Sequence, residues 1–262
     1  MIAYFAPLAM LAALVACSSP EEMEQALQVD AKASASSATG DGSAREVKVA
    51  NNQYEFEYSY PLAAGSIPGL KAYLDADLEY AQNDIAGQAK EAMGDAGEYN
   101  YPYHPYSLII GWEVVADVPG GVSLSRDLWT YTGGAHGNSG TSGLLWVKAE
   151  DEALAPIELF TSGETLEAAM QDAYCTALNN LRSERRGEPI DEGIFGECPK
   201  LGELTLLLGS SNNAAFDQLV LIADPYVAGS FAEGPYEVTL PVDEAILASV
   251  KASYRGAFSL TP

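Results

Sequence analysis

Hydrophobic and polar residues alternate with a period of two in several segments, which is the pattern of a β-strand buried on one face. The clearest example is residues 54–60, where four aromatic side chains share one parity and Glu or Ser takes the other. The same alternation predicts strands at residues 108–116 and 122–128, joined by a Pro-Gly-Gly turn, and near residues 144–148. These segments predict a small antiparallel meander.

Other segments repeat their apolar residues every three or four positions, as an amphipathic helix does. One such segment starts at about Pro68 and is predicted to end at Met93, where Gly94 follows. A second begins just after Ser162 and carries apolar residues as far as Leu181. The first helix is expected to pack across one face of the meander.

The second half of the chain repeats these kinds of element without repeating the sequence. Strands are predicted at residues 204–208, 219–223 and 236–240, and Asp243 can cap a last helix. The expected fold class is therefore α+β, with two small antiparallel sheet-plus-helix units packed into one body.

The first 17 residues have the pattern of a lipoprotein signal peptide. An uncharged apolar run covers residues 2–15 and is shorter than the about 20 residues that a helix needs to span a bilayer. It leads into the sequence Leu-Val-Ala-Cys, which resembles the bacterial lipobox, so Cys17 is expected to be lipidated. No Lys or Arg precedes the run, which departs from the usual signal. An ordinary signal peptide with an incidental cysteine is the alternative.

A segment rich in Ser, Ala, Glu, Gln and Gly follows at residues 18–44 and predicts a flexible linker. The folded body is expected to divide into two α+β domains, residues 45–150 and residues 151–262. Ser18 resembles the sorting pattern of outer-membrane lipoproteins. We therefore expect the protein in the bacterial cell envelope, facing the periplasm and attached to the membrane by its lipid alone.

The chain carries 37 acidic and 13 basic side chains, for a formal net charge of −24. Such a charge repels phosphate backbones, so no nucleic-acid partner is expected. It would attract basic proteins, although solubility alone is a sufficient reason for an acidic surface. Cys175 and Cys198 are the thiols that remain besides Cys17. In an oxidising compartment we expect them to form a disulfide.

The most distinctive motif is the segment from Tyr131 to Asn138, which reads Y-T-G-G-A-H-G-N. It resembles the Y-x-G-G-A-H-G signature shared by the extracellular part of the anti-sigma factor RsiV and the non-catalytic N-terminal region of the peptidoglycan deacetylase PdaC. Residues 157–160, 224–229 and 233–241 are similar to further segments of that module, in the expected order. The resemblance covers residues 46–253. It implies the shared envelope module without the deacetylase domain or the cytoplasmic anti-sigma segment.

Within this motif, Gly133, Gly134 and Gly137 allow sharp turns and close approach to a ligand. His136 is either a ligand contact or general base, or a structural residue whose ring nitrogens hold the turn. Tyr131 completes this group of binding candidates.

A second candidate segment alternates tyrosines with prolines and polar residues, and its binding candidates are Tyr101, Tyr103 and His104. Such tyrosines stack on sugar rings or anchor protein interfaces. The alternative is that the prolines only stiffen a connection. The two histidines lack HxH or HExxH spacing, so no metal site and no cofactor are expected.

No GxSxG or SxxK pattern surrounds the serines near His136, so no catalytic residue is assigned. The sequence predicts a lipid-anchored, non-catalytic envelope protein that binds a protein or peptidoglycan. The resemblance to RsiV, which binds lysozyme, together with the acidic charge, favours a basic lysozyme-like protein as ligand. Two alternatives stay open: a cell-wall hydrolase or deacetylase that uses His136, and a structural envelope lipoprotein.

Overall fold

A computed structural model describes residues 44–187, 193 and 195–261. The predicted signal peptide, Cys17 and almost all of the predicted linker lie outside the described residues. The described residues fall within one unit that spans Gly40–Pro262. In this part of the chain, no helix is both long and apolar enough to cross a membrane. The division into domains at residue 150 stays a prediction.

A six-stranded sheet forms the first half of the body, with its strands side by side in sequence order. The strands are β1 (Arg45–Ala50), β2 (Tyr54–Tyr60), β3 (Tyr106–Val118), β4 (Gly121–Tyr131), β5 (Asn138–Val147) and β6 (Glu152–Leu154). A short helix α1 (Leu62–Gly65) and the long helix α2 (Pro68–Tyr99) follow β2. Because this long crossover joins β2 to β3, those two strands run parallel, whereas the other pairs are antiparallel. The sequence pattern had indicated only antiparallel neighbours.

A three-stranded antiparallel sheet forms the second half, with α3 (Gly163–Arg186) packed against it. Its strands are β7 (Thr205–Gly209), β8 (Gln218–Ala223) and β9 (Tyr236–Pro241), and α4 (Glu244–Ser249) follows. The predicted cap is present, since Asp243 Oδ1 accepts a hydrogen bond from Ile246 N at 2.8 Å. Ser162 likewise caps α3, and its Oγ accepts a hydrogen bond from Thr165 N at 3.1 Å. The α+β fold class with two sheet units is confirmed.

Two predicted boundaries were wrong. Helix α2 continues past Met93 to Tyr99 and ends at Asn100, whose φ of 55° is left-handed. Gly94 lies inside this helix at an exposed position, where a glycine costs only about 1 kcal/mol relative to alanine. Strand β5 begins six residues before the predicted residue 144, because its glycine-rich first half pairs with β4.

Gly143 shows why glycine is used in that strand. A Cβ at this position would overlap the carbonyl oxygen of Leu206 in β7. The backbone of β7 in the second sheet therefore packs directly against the backbone of β5 in the first. Two hydrogen bonds also join the sheets. Thr205 Oγ1 donates to Thr141 O at 2.5 Å, and Leu208 N donates to Ser123 Oγ at 3.1 Å.

Each half has its own apolar core. The first core lies between α2 and one face of the six-stranded sheet, and it includes Phe56, Tyr58, Leu70, Leu74, Ile110, Trp112 and Leu124. The second core lies between α3 and the three-stranded sheet, and it includes Leu166, Tyr174, Leu178, Leu219, Leu221 and Tyr236. The second sheet also covers one end of the far face of the first sheet, through residues such as Val118 and Leu145.

The expected disulfide between Cys175 and Cys198 is present, with the two Cα atoms 5.6 Å apart. It ties α3 to the segment that precedes β7. Arg182, on the next turns of α3, is fully buried and donates to Ala228 O at 2.8 Å and Glu197 O at 3.0 Å. The crosslink and this side chain together hold irregular segments against α3.

Candidate functional site

The two segments that the sequence singled out lie at the same end of the molecule. The glycine-rich loop, residues 132–137, connects the end of β4 to the start of β5. Tyr131 at the end of β4 pairs with Ser107 near the start of β3. The tyrosine-rich segment, residues 101–106, leads into β3. Because the start of β3 pairs with the end of β4, this segment lies beside the loop.

Between these two segments is a cleft with a volume of about 280 Å³. One wall consists of Tyr101, Tyr103 and His104, and the other of Thr132, Gly133 and Gly134. Tyr103 is fixed because its hydroxyl donates to Gln53 O at 2.6 Å and its ring lies 5.9 Å from that of Tyr106. The sequence named both walls but gave no reason to place them together.

The tip of the glycine-rich loop has an exposed backbone. Gly133 and Gly134 have φ angles of 95° and 99°, in the region that side-chain-bearing residues rarely adopt. A Cβ at either glycine would meet no atom within 4 Å. Tyr131 supports the tip, since its hydroxyl donates to Gly134 O at 3.3 Å. The glycines are therefore required by backbone conformation and leave space for a ligand.

Gly137 has a different role at the base of the loop. It is buried, and a Cβ there would overlap the indole ring of Trp129 and lie 2.8 Å from Thr130 O. The loop base thus rests directly on Trp129. Gly137 therefore shapes the base of the loop.

His136 is exposed, and its contacts hold the loop in place. Its Nδ1 lies 2.8 Å from Gly137 O, which corresponds to a hydrogen bond if this nitrogen carries the proton. The ring stacks on Phe231, with the centroids 4.4 Å apart. These contacts agree with a structural role for His136, in which its ring holds the turn. The edge of the ring that faces solvent is available to a ligand.

A third segment, residues 226–231, borders the loop and was not among the predicted site residues. The rings of Tyr226 and Phe231 are 5.6 Å apart, so the stack on His136 continues into Tyr226. Tyr226 is exposed and has a φ of 73°, which is unusual for a residue with a side chain. An aromatic residue within a Pro- and Gly-containing stretch was the available signal.

Two carboxylates meet next to this segment. Asp224 accepts hydrogen bonds from Thr141 N at 3.1 and 3.0 Å, one to each oxygen, and Asp127 accepts one from Thr141 Oγ1 at 3.2 Å. Burial raises the pKa of both aspartates, and the charge of Asp127 raises the pKa of Asp224 further. Sequence reasoning missed this pair because the two aspartates are far apart along the chain.

Comparison with known families identifies the first half. Residues 47–139 match the sequence model of the family described as "Deacetylase PdaC". The chain carries a PdaC-like module. This finding confirms the resemblance drawn from the Y-x-G-G-A-H-G motif, which lies within the matched residues. None of the curated proteins compared with the chain matches it.

A solved structure shares the fold over most of the chain. A member of the DUF3298 family from Bacteroides fragilis superposes with a TM-score of 0.57 at 16% identity, covering 82% of this chain and 95% of that chain. A DUF3298 family protein from Pseudomonas aeruginosa PAO1 has a TM-score of 0.45 at 17% identity, covering 82% and 94%. At 16% identity, the likeness to the Bacteroides fragilis structure shows the fold alone.

The PdaC-like module supplies two of the three segments at this end, and the second half supplies residues 226–231. That third segment is held by charged groups. Arg186 Nε lies 2.8 Å from Glu233 Oε2, which also accepts from the Tyr236 hydroxyl at 2.6 Å. Burial alone would raise the pKa of Glu233, but these bonds and those from Ser230 lower it to about 2.

A larger cleft, of about 370 Å³, lies between β5, the start of α3 and β7. Its walls are mostly apolar or glycine, and they include none of the predicted site residues. Among the described residues, no group of three or more His, Cys, Asp or Glu side chains could hold a metal ion.

Proposed function

We propose that this protein is a lipid-anchored, non-catalytic binding protein of the bacterial cell envelope. Its recognition surface is the three-loop surface, defined as residues 101–106, 132–137 and 226–231. The observation that carries this proposal is the meeting of these three segments at one end of the molecule. Cys17 would carry the lipid that keeps the protein at the membrane.

The exposed groups of the three-loop surface favour binding. Tyr101 is 50% exposed and Tyr226 is 52% exposed, although burial of such rings is energetically favourable. Tyrosines of this kind often contribute a large share of the binding energy at protein interfaces. Between them, the backbone of Gly133 and Gly134 is accessible to hydrogen-bonding groups of a ligand.

A protein is the favoured ligand, and a basic lysozyme-like protein fits best. The chain has a formal charge of −24, which steers cationic partners toward it and increases their association rate. The resemblance to RsiV, which binds lysozyme, supports the same choice. Peptidoglycan is the other outcome that the experiments distinguish.

The contacts of His136 support a non-catalytic role. Its Nδ1 faces a backbone carbonyl, and its ring stacks on Phe231, so both contacts fix the ring within the loop. The family description names a deacetylase, but the match covers residues 47–139, and the name alone does not show that this chain is catalytic.

Binding by the three-loop surface can be tested with the full chain, purified in detergent and used as bait for lysozyme and for envelope extract. Tyr101→Ala combined with Tyr226→Ala is expected to weaken capture at least about tenfold, because it removes two aromatic anchors. Tyr80→Ala is the matched control, since Tyr80 is 72% exposed on α2. Equal capture by the double variant and the control would contradict the proposal. Capture of sacculi alone would identify peptidoglycan as the ligand.

The enzyme alternative needs a separate experiment. Purified sacculi are incubated with the full chain, with its His136→Ala variant and with buffer. Identical muropeptide profiles in all three samples are expected. New fragments or deacetylated sugars that disappear with His136→Ala would establish catalysis instead.

Lipid attachment is tested in cells by labelled palmitate. We expect incorporation into the full chain and none into the Cys17→Ala variant, which should leave the membrane fraction. A wild-type chain that remains unlabelled and cytosolic would contradict the envelope location.

A further inference from the structure

The two faces of the six-stranded sheet are covered differently. Helix α2 covers one face, and the second sheet covers only one end of the other. What remains is the open face, defined by Glu55, Glu57, Ile109, Gly111, Glu113 and Asp127 on β2, β3 and β4. The strand register places these residues side by side, with Glu57 opposite Ile109 and Gly111 opposite Asp127.

The centre of the open face is flat and accessible. Ile109 is among the exposed large hydrophobic residues of the described chain. A Cβ at Gly111 would meet only Ser59 Oγ, at 3.9 Å. A partner can therefore approach the strands closely at this point without displacing any side chain.

Carboxylates surround this centre, and most have no cationic partner. Lys48 bonds to Glu57 at 3.1 Å and to Glu46 at 3.3 Å. Within the described part of the chain, no cation forms a salt bridge with Glu55, Glu113 or Asp127. The open face is thus an apolar centre with an excess of negative charge around it.

The open face is continuous with the three-loop surface. Trp129 lies opposite Ile109 in the strand register, and its ring supports Gly137 at the base of the glycine-rich loop. A protein bound at the loops would extend over the open face. The two surfaces are therefore expected to act on one ligand.

We propose that the open face docks a basic patch of the protein ligand, with Lys or Arg side chains of the ligand over the carboxylates and an apolar group over Ile109 and Gly111. This inference rests on the proposed function and names the second surface that the ligand contacts. Charge complementarity decides the occupant, since a second copy of this chain would bring an acidic surface of the same sign. A basic protein gains from both the charge and the apolar centre.

The test is a charge reversal with a matched control, using the full chain in detergent and lysozyme as the probe. The open-face variant combines Glu55→Lys with Glu113→Lys. The control combines Glu91→Lys with Glu98→Lys on the exposed side of α2, so both variants change the net charge equally. Kinetics are recorded at low and at physiological ionic strength, and thermal unfolding checks the fold.

The open-face variant is expected to bind lysozyme at least tenfold more weakly than wild type, mainly through a slower association at low salt. The control should change affinity less than threefold, because distant exposed charges are screened. Gly111→Arg should weaken binding by a similar factor without lowering the melting temperature, since its side chain projects into open space. Together these results would support the open face as a docking surface.

Two results would overturn this inference. One is equal affinity of the open-face variant and the control for lysozyme. The other is a wild-type chain that fails to bind lysozyme at low salt. Neither result removes the proposed function, which depends on capture of any envelope ligand and on its loss with the Tyr101 and Tyr226 double variant. The Tyr101 and Tyr226 double variant could lose capture while the open-face variant still binds. In that case the three-loop surface would be the whole binding site.

Discussion

The two faces of the six-stranded sheet are built from the same strands but have opposite character. Ile110 is 1% exposed and contributes to the core against α2, whereas its neighbour Ile109 is 42% exposed on the open face. The covered face is aromatic and aliphatic, and the open face is small and acidic. Strand alternation determines which residues share a face, but each face is defined by what packs on it.

The covered face is also joined to its helix by polar contacts. The hydroxyl of Tyr58 lies 2.9 Å from both Leu74 O and Asp77 Oδ2 and shares its one proton between them. Trp112 Nε1 donates to Asp77 Oδ2 at 3.3 Å. On the opposite face, polar contacts join the strands to the second sheet, from Leu208 N to Ser123 Oγ and from Thr141 N to Asp224. They lie where the second sheet covers the first, and the open face beside them is available to a ligand.

Replacing the two neighbouring isoleucines tests this difference most strongly. Ile110→Ala is expected to lower the free energy of unfolding by about 2 to 5 kcal/mol, because it leaves a cavity between the sheet and α2. Ile109→Ala is expected to change it by less than about 0.5 kcal/mol. Urea unfolding followed by circular dichroism measures both. Similar losses for the two variants would mean that the open face is packed against other groups in solution.

Two glycines, one at the centre of the open face and one in the loop beside it, give the next largest contrast. Gly137→Ala is expected to cost about 1 to 3 kcal/mol, since the added methyl group overlaps the Trp129 ring and approaches Thr130 O. Gly111→Ala is expected to leave stability unchanged or raise it by up to about 1 kcal/mol, because the unfolded chain loses conformational freedom. Thermal unfolding of both variants tests this. A stable Gly137→Ala variant would show that the loop base does not rest on Trp129.

Tyr58→Phe isolates the polar contacts of the covered face. The variant removes the two bonds to α2 and keeps the ring, so it should lower stability by about 1 kcal/mol. The loss stays modest because Asp77 retains its bond from Trp112. Tyr80→Phe, at an exposed site, is the control and should have no measurable effect in the same urea titration. Equal stability of the two variants would contradict a role for the Tyr58 hydroxyl.

The alternation pattern predicted β2 within its observed bounds, and Asp243 was predicted as the cap of the last helix. Apolar periodicity predicted the start of α3 just after Ser162. These features depend on neighbouring residues alone. The parallel pairing of β2 with β3 does not, because alternation indicates which face a residue is on and gives no information about the neighbouring strand. The end of α2 was missed because Gly94 is tolerated at a solvent-exposed turn.

The candidate site could be predicted only in pieces. The motif around Gly134 and the tyrosines around Tyr101 were both visible, but their meeting depends on the register of β3 with β4. Asp224 is 83 residues from Thr141, so no local pattern could reveal their contact. Likewise, the stack of His136 on Phe231 joins the two halves of the chain.

The smallest predicted effect is a pH dependence that arises on the open face. Burial raises the pKa of Asp127 above its usual value, although Thr141 donates a hydrogen bond to it. The folded state therefore binds this proton more tightly than the unfolded chain does. The charged carboxylate opposes folding above its folded-state pKa, and this opposition disappears as the pH falls to the ordinary Asp pKa of about 3.9.

Asp127→Asn removes that opposition and also relieves Asp224, whose pKa the charge of Asp127 raises. The variant should be more stable than wild type at pH 7 by less than about 0.5 kcal/mol, because Asp127 is still partly hydrated. The difference should shrink as the pH is lowered from 7 to 4. Melting temperatures at half-unit pH steps measure this. A constant difference between wild type and Asp127→Asn across that range would mean that Asp127 is hydrated as fully in the folded protein as in the unfolded chain.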